Sequence, residues 1–335
     1  MLTIKNKRSV LLIGILILLV FLWGISRRMD KNNSASKIAQ RATNIIRGDD
    51  GFAFDESTPG YETYLNLIQG CSFKDCIISI DDPEFESPSE ADKWLESGDI
   101  VFILNFGGEI RSYPQRILNR HEIVNDIVSG DPLVITFCPL CGSALAFERT
   151  LDGAVLEFGV SGKLHDNDLV MYDRQTESLW QQITGEAIVG ELFGKKLKQI
   201  SFGVMSWDEA KKKFPTLSSL KRPGSAATYN VYPYGDYEQD ANPLFPVEGG
   251  VDDTIHPKAV VFGVEIDGKF KAYPEEKLQS VKTKNLQDKV GGVNIEINYN
   301  NGAIEVRRLD TREEIPATRL FWFAWKAFRP STGLY

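Results

Sequence analysis

The sequence predicts an α+β, β-rich fold: two pseudo-repeated halves, each running strand–strand–helix–hairpin, behind one N-terminal transmembrane helix. Three observations carry this reading. Residues 9–26 form an uncharged run dominated by Leu, Ile and Val. Beyond it, apolar segments are short and end at Gly, Pro, Asp or Asn, the pattern of strands and turns. Finally, a strand–turn–strand–Tyr-Pro plan occurs twice. Gly108, Tyr113, Pro114 and Leu118 recur as Gly268, Tyr273, Pro274 and Leu278, at a constant offset of 160.

A chain of 335 residues, 42% hydrophobic and 25% charged, has ample material for a folded core. Its net charge of −8 is uneven. Residues 1–31 hold six basic side chains (Lys5, Lys7, Arg8, Arg27, Arg28, Lys31) against Asp30 alone, so the remainder is strongly acidic. An acidic body repels phosphate backbones, which argues against nucleic acid as a partner. The 18-residue run at 9–26 reaches the roughly 17–25 residues that cross a bilayer as a helix. A signal peptide competes, but no A-x-A-like site follows and Arg27-Arg28 abut the run, so an uncleaved anchor is expected. The flanking basic residues nearly balance, so the positive-inside rule decides weakly. A short cytoplasmic tail (1–8) with a large body favours the body outside the cytoplasm, periplasmic or extracellular. The lipid bilayer is then the one expected partner.

Residues 27–69 read as a stalk. The first half, 70–220, opens a helix at Ser87-Pro88 with acids in its first turn. A buried strand at 100–106 turns at Gly107-Gly108 into a second at 109–113. Pro114 then opens a helix to about Ile127, with Ile117, Leu118, His121, Val124 and Val128 on its apolar face and Glu122 and Asp126 on a solvated one. After Gly130-Asp131-Pro132, two apolar runs flank Cys138-Pro139-Leu140-Cys141-Gly142 as a hairpin. Short strands fill 154–200, and 207–214 is a small amphipathic helix. Residues 221–257 are a loop-rich bridge. The second half, 258–335, is a degenerate repeat. Its 293–299 and 303–306 runs make a hairpin around Asn300-Asn301-Gly302, where the first copy carries its cysteines, but the thiols are missing.

Two thiols on a hairpin tip with glycine behind them have the shape of a rubredoxin-type knuckle or half a zinc ribbon. A thioredoxin-like pair instead sits at a helix N-terminus, whose dipole lowers the thiol pKa. An inert disulfide is the third possibility. A knuckle supplies two ligands, and His121 is the nearest third; a buried neutral histidine with one hydrogen bond would also satisfy that position. Met171 would suit copper, or simply the core. Cys71 and Cys76 have a spacing that zinc sites tolerate, which would allow a four-cysteine site; a local disulfide is preferred in an oxidising compartment. The polar-aromatic segment 166–182 reads as a self-satisfied network or as a cleft wall.

The runs HEIVND (121–126), TFCPLCGSALAFER (136–149), FGVSGKL (158–164), DLVMYDRQTESLWQQ (168–182) and GEAIVGELFGKKL (185–197) occur in order. Lys74-Asp75, Ile80-Asp81 and the tail Phe321-Trp322-Phe323-Ala324-Trp325 accompany them. Together they resemble the domain-of-unknown-function 3179 family over roughly residues 70–330. The resemblance implies no biochemical activity. It does imply that His121, Cys138, Cys141 and the 171–182 segment belong to the family pattern. Cys71 and Cys76 do not, which leaves them as a disulfide private to this chain. His165 also departs from that pattern and is set aside as a ligand.

The expected centre is therefore Cys138, Cys141 and His121 around zinc or copper, with Met171, Asp173, Arg174, Trp180 and Gln182 as a supporting wall. The rival is a membrane-anchored thiol–disulfide oxidoreductase, with Cys138 or Cys141 as nucleophile and His121 as proton carrier. The third is an interaction module with structural disulfides. These readings differ on whether the chain is an enzyme at all.

Overall fold

The computed structural model describes residues 50–281, 285–300 and 302–335. The expected anchor at 9–26 lies outside them. Among the described residues no helix is long and apolar enough to cross a membrane.

Strand β1 (Ile100–Phe106) buries Val101, Phe102, Ile103 and Leu104. Gly107 and Gly108, both at positive φ, turn the chain into β2 (Glu109–Pro114). Pro114 then leads into helix α1 (Gln115–His121), its ring fixing the φ that the entry needs. The helix is shorter than the spacing predicts. It stops at His121, Glu122 adopts φ +57, and residues 123–128 form strand β3 (Ile123–Val128). The reason is the pair of β-branched dipeptides, Ile123-Val124 and Ile127-Val128, which favour extended backbone. Ile117, Leu118, Val124 and Val128 are buried as expected, though by two kinds of element. Glu122 and Asp126, expected on a solvated face, are both buried.

The cysteine hairpin is present as β4 (Asp131–Cys138) and β5 (Ser143–Glu148), with Cys138 paired to Ser143. Next, β6 (Phe158–His165), β7 (Asp168–Asp173), β8 (Leu179–Gln181) and β9 (Glu186–Val189) build an antiparallel sheet. β10 (Gly203–Ser206), helix α2 (Trp207–Lys213) and β11 (Ser218–Leu220) return to the first hairpin, giving the order β10-β1-β2-β11. Residues 50–69, assigned by sequence to a stalk, pack on the body. Ile68–Gln69 pairs with β6, Asp50 bonds Lys163 at 2.6 Å, and Phe52 meets the Tyr172 ring edge-on.

The second copy comprises β12 (Val260–Ile266), β13 (Lys269–Pro274), helix α3 (Glu275–Ser280), β14 (Asn285–Val290), β15 (Val293–Asn300) and β16 (Ala303–Arg308). Its first hairpin has the register of β1–β2: Phe102 pairs with Tyr113 as Phe262 pairs with Tyr273. Each copy also holds the same brace. Asp126 accepts Arg111 Nη1 and the Tyr113 hydroxyl, both at 2.6 Å. Asp288 accepts Lys271 Nζ at 2.6 Å and the Tyr273 hydroxyl at 2.8 Å.

The copies share one sheet. β17 (Ala317–Phe321) lies between β12 and β5, and β18 (Gly333–Leu334) closes the far edge beside β13. Between them, helix α4 (Trp322–Phe328) lays Trp325 on Gly263, where a Cβ would come within 2.3 Å of the indole. No side chain fits there.

The two braces differ in burial. The Asp126 and Arg111 side chains are 3% and 16% exposed, against 18% and 24% for Asp288 and Lys271. Asp126→Ala leaves the Arg111 guanidinium with Glu109 alone and the buried Tyr113 hydroxyl without its acceptor, and is expected to cost about 3 kcal/mol, whereas Asp288→Ala leaves its lysine nearer water and costs about 1. Urea denaturation of both variants checks this ranking; equal losses would contradict it.

Candidate functional site

The tip of the β4–β5 hairpin closes with Cys141 N donating to Cys138 O at 3.2 Å. Gly142 follows at φ +59, and a Cβ on it would lie 2.9 Å from the Phe321 ring. Three further carbonyls of the tip are held by distant parts of the chain. Leu140 O accepts the Tyr237 hydroxyl at 2.9 Å, Cys141 O accepts Phe321 N at 2.8 Å, and Gly142 O accepts Arg319 Nη1 at 3.3 Å. With its backbone so engaged, the tip turns both thiols inward. Cys138 is 2% exposed and Cys141 fully buried, and neither is in a disulfide.

Opposite them stands Asp168, the first residue of β7. The β6–β7 turn, with Asp166 and Asn167 both at positive φ, sets it facing inward. Its Oδ2 accepts Gln181 Nε2 at 2.5 Å and Ile183 N at 2.9 Å. Its Oδ1 is buried without a hydrogen-bond partner. One ligand atom from each of Cys138, Cys141 and Asp168 falls within 4.8 Å of the others. Glu122, placed by its left-handed backbone at the α1–β3 junction, is also buried, and the Tyr234 hydroxyl donates to it at 3.4 Å.

The loop-rich stretch at 221–257 covers this cluster. Tyr237 is buried against the tip. Asn167 exchanges two bonds with Phe245, its amide donating to Phe245 O at 2.8 Å and its oxygen accepting Phe245 N at 2.7 Å. Lys258 anchors the stretch from behind, donating to Tyr237 O at 2.6 Å and Asn242 O at 2.8 Å. Burial there lowers its pKa to about 8.

Removal from water governs the electrostatics. Burial pushes Asp168 up to about 7 and Glu122 up to about 8, and Asp168 adds to the rise on Glu122. Burial also raises the Cys138 thiol and, with its neighbouring thiol, raises Cys141 well above the ordinary range. Among the described residues neither carboxylate has an ion-pair partner. Three acids thus converge out of water with Glu122 buried nearby, and among the described residues none of the four has an ion-pair partner.

The expected ligand His121 is held elsewhere. Its Nδ1 pairs with Ile78 O at 2.7 Å and its Nε2 with the Tyr229 hydroxyl at 2.9 Å, so both ring nitrogens are occupied. Burial lowers its pKa. Met171 and Trp180 pair across β7–β8 in the same apolar cluster as the cysteines. Asp173 accepts Trp180 Nε1 at 2.9 Å and Thr176 N at 2.7 Å, a local brace. Arg174 bonds Asp81 at 2.7 Å, Ser79 at 3.0 Å and also Glu157. Gln182 reaches the cysteine hairpin, donating to Thr136 Oγ1 at 2.9 Å and accepting Ser143 Oγ at 2.8 Å. It therefore fixes the thiol-bearing hairpin to the sheet that carries Asp168. Cys71 and Cys76 form a disulfide.

Sequence reasoning missed Asp168 and Glu122. Each had a signal: an acid heading the apolar DLVMY run, and an acid directly after the histidine of HEIVND. Hairpin chemistry drew attention to the thiols, and periodicity assigned Glu122 to the wrong face.

Fold and site define a class: a β-rich α+β protein with two buried free thiols facing a carboxylate beneath a tyrosine-rich cover. The family model described as "Protein of unknown function (DUF3179)" matches residues 74–314, and the chain belongs to that family. Neither curated proteins nor solved structures gave a match.

Two outcomes follow from this geometry. Gly142→Ala meets both an unfavourable φ and the Phe321 ring, and is expected to cost about 1–3 kcal/mol in urea denaturation; a neutral result would contradict the packing described. The raised carboxylates make stability pH-dependent. Their favourable contribution is full below about pH 4, where unfolded carboxylates are also protonated, and is lost as pH rises through about 7–8. In EDTA, the melting temperature should therefore fall between about pH 5 and 8, and Asp168→Asn should flatten that fall. A melting temperature that rises over this range in both proteins would contradict the assignment.

Proposed function

We propose that the chain is a metal-binding protein whose centre is Cys138, Cys141 and Asp168, with Glu122 as a further oxygen donor beside them, and that the resident ion is zinc. The observation that carries this is the convergence of two free thiols and the Asp168 carboxylate within 4.8 Å, all buried, with Oδ1 of that carboxylate lacking a hydrogen-bond partner among the described residues. A divalent cation supplies the charge that this acidic space lacks, and drives off the protons that burial otherwise retains. Zinc accepts sulfur at about 2.3 Å and carboxylate oxygen at about 2.0–2.2 Å, which suits a mixed donor set. Copper(I) prefers sulfur donors and would leave Asp168 unused, so zinc is favoured between the two. His121 is not in this ligand set, because both its nitrogens have other partners.

The thiol–disulfide reading ranks second. Its attacking species is the thiolate, and here burial raises both thiols rather than lowering one. The proposal keeps the body outside the cytoplasm, tethered through residues 9–26 in the bilayer. The length and flanks of that run support it, as does the Cys71–Cys76 disulfide, which suits an oxidising compartment.

Elemental analysis of the purified full chain, with a free-thiol count on the same sample, tests the centre. Zinc bound to Cys138 and Cys141 is expected, so Cys138→Ser should hold one zinc fewer per chain than the wild type, and Asp168→Asn should hold that ion about 10-fold or more weakly. The same zinc content in the wild type and in Cys138→Ser, with the Cys138–Cys141 pair oxidised in the wild type, would overturn the proposal.

A further inference from the structure

We propose that His165, Asp166 and Glu248 form a second divalent-cation site, one that clasps the cover at 221–257 onto the β6–β7 hairpin. His165 ends β6 and Asp166 begins the turn, while Glu248 lies 82 positions away on the cover. One ligand atom from each falls within 4.8 Å of the others. His165 and Asp166 are half-buried and Glu248 is exposed, so the site opens to solvent, unlike the cysteine cluster.

The hydrogen bonds around His165 fix its chemistry. Gln181 donates its amide nitrogen to the Asp168 carboxylate, which turns its amide oxygen towards His165 Nδ1, 2.7 Å away. An amide oxygen only accepts, so Nδ1 donates to it, and among the described residues Nε2 has no hydrogen-bond partner. This is how metal-binding histidines are commonly prepared, with one nitrogen tied to an acceptor and the other available. The two carboxylates are brought together as deliberately. The Glu248 backbone N–H donates to Asp166 Oδ1 at 2.6 Å, drawing the cover onto the turn and setting two like charges side by side. Among the described residues neither carboxylate forms an ion pair. One imidazole and two carboxylates suit a borderline ion such as zinc or manganese, with positions left for water.

Such an ion would join two segments that otherwise meet through the Asp166 and Asn167 hydrogen bonds to Phe245 and Glu248. Because Asp168 directly follows that turn, an ion there would also hold the cover over the cysteines. The outer site draws on none of the cysteine-cluster ligands and stands or falls separately from that reading.

Zinc titration calorimetry on the full chain tests it, together with proteolysis of the cover. Glu248→Gln and His165→Ala are each expected to lose one zinc per chain, and Cys138→Ser to retain that same zinc. Zinc should slow cleavage within the cover in the wild type and in Cys138→Ser, but not in Glu248→Gln. Since Glu248 is exposed, its variant should melt with the wild type in EDTA and decides the matter if His165→Ala fails to fold. One zinc lost in Glu248→Gln but kept in Cys138→Ser supports the clasp even with the inner centre empty. Wild-type zinc stoichiometry and affinity in Glu248→Gln would overturn it.

Discussion

The structure depends on the exclusion of water from four acidic side chains. Cys138, Cys141, Asp168 and Glu122 come from three separate stretches, each set by backbone at or beside a positive φ. Asp168 follows a turn of two left-handed residues, Glu122 is itself left-handed, and the cysteine tip needs Gly142 at positive φ. Such positions disfavour ordinary side chains and persist where surrounding contacts determine them. Here those contacts come from far away: Tyr237 from the cover, and Arg319 and Phe321 from the strand that joins the second copy to the first.

The two matching hairpins separate what the fold requires from what the site requires. Both copies keep the hairpin register and the tyrosine–aspartate brace, with Arg111 exchanged for Lys271. Only the first keeps the thiols. The second copy instead contributes β17, whose backbone and arginine hold the cysteine tip, so it supports the site without repeating it.

Much of the fold was legible in the sequence because strands, glycine turns and the Tyr-Pro junction are local signals. The cysteine hairpin and both copies of the first hairpin follow from them. The α1–β3 junction was not legible. Ile117 through Val128 is apolar at helical spacing, and only the β-branched pairs mark the break; a glutamate gives no sign of the positive φ that Glu122 adopts. The site was half legible. Cysteine spacing announces itself, whereas Asp168 and Glu122 are ordinary acids until tertiary contacts remove them from water. His121 misled for the complementary reason: its place beside the hairpin in sequence says nothing of Ile78 and Tyr229, which take its two nitrogens.

Zinc K-edge X-ray absorption on the purified full chain, compared with the Glu248→Gln variant to remove any outer-site ion, addresses the central claim most directly. Two sulfur neighbours at about 2.3 Å with oxygen neighbours at about 2.0–2.2 Å are the predicted shell. A shell with no sulfur would contradict the account and return the Cys138–Cys141 pair to redox or structural duty.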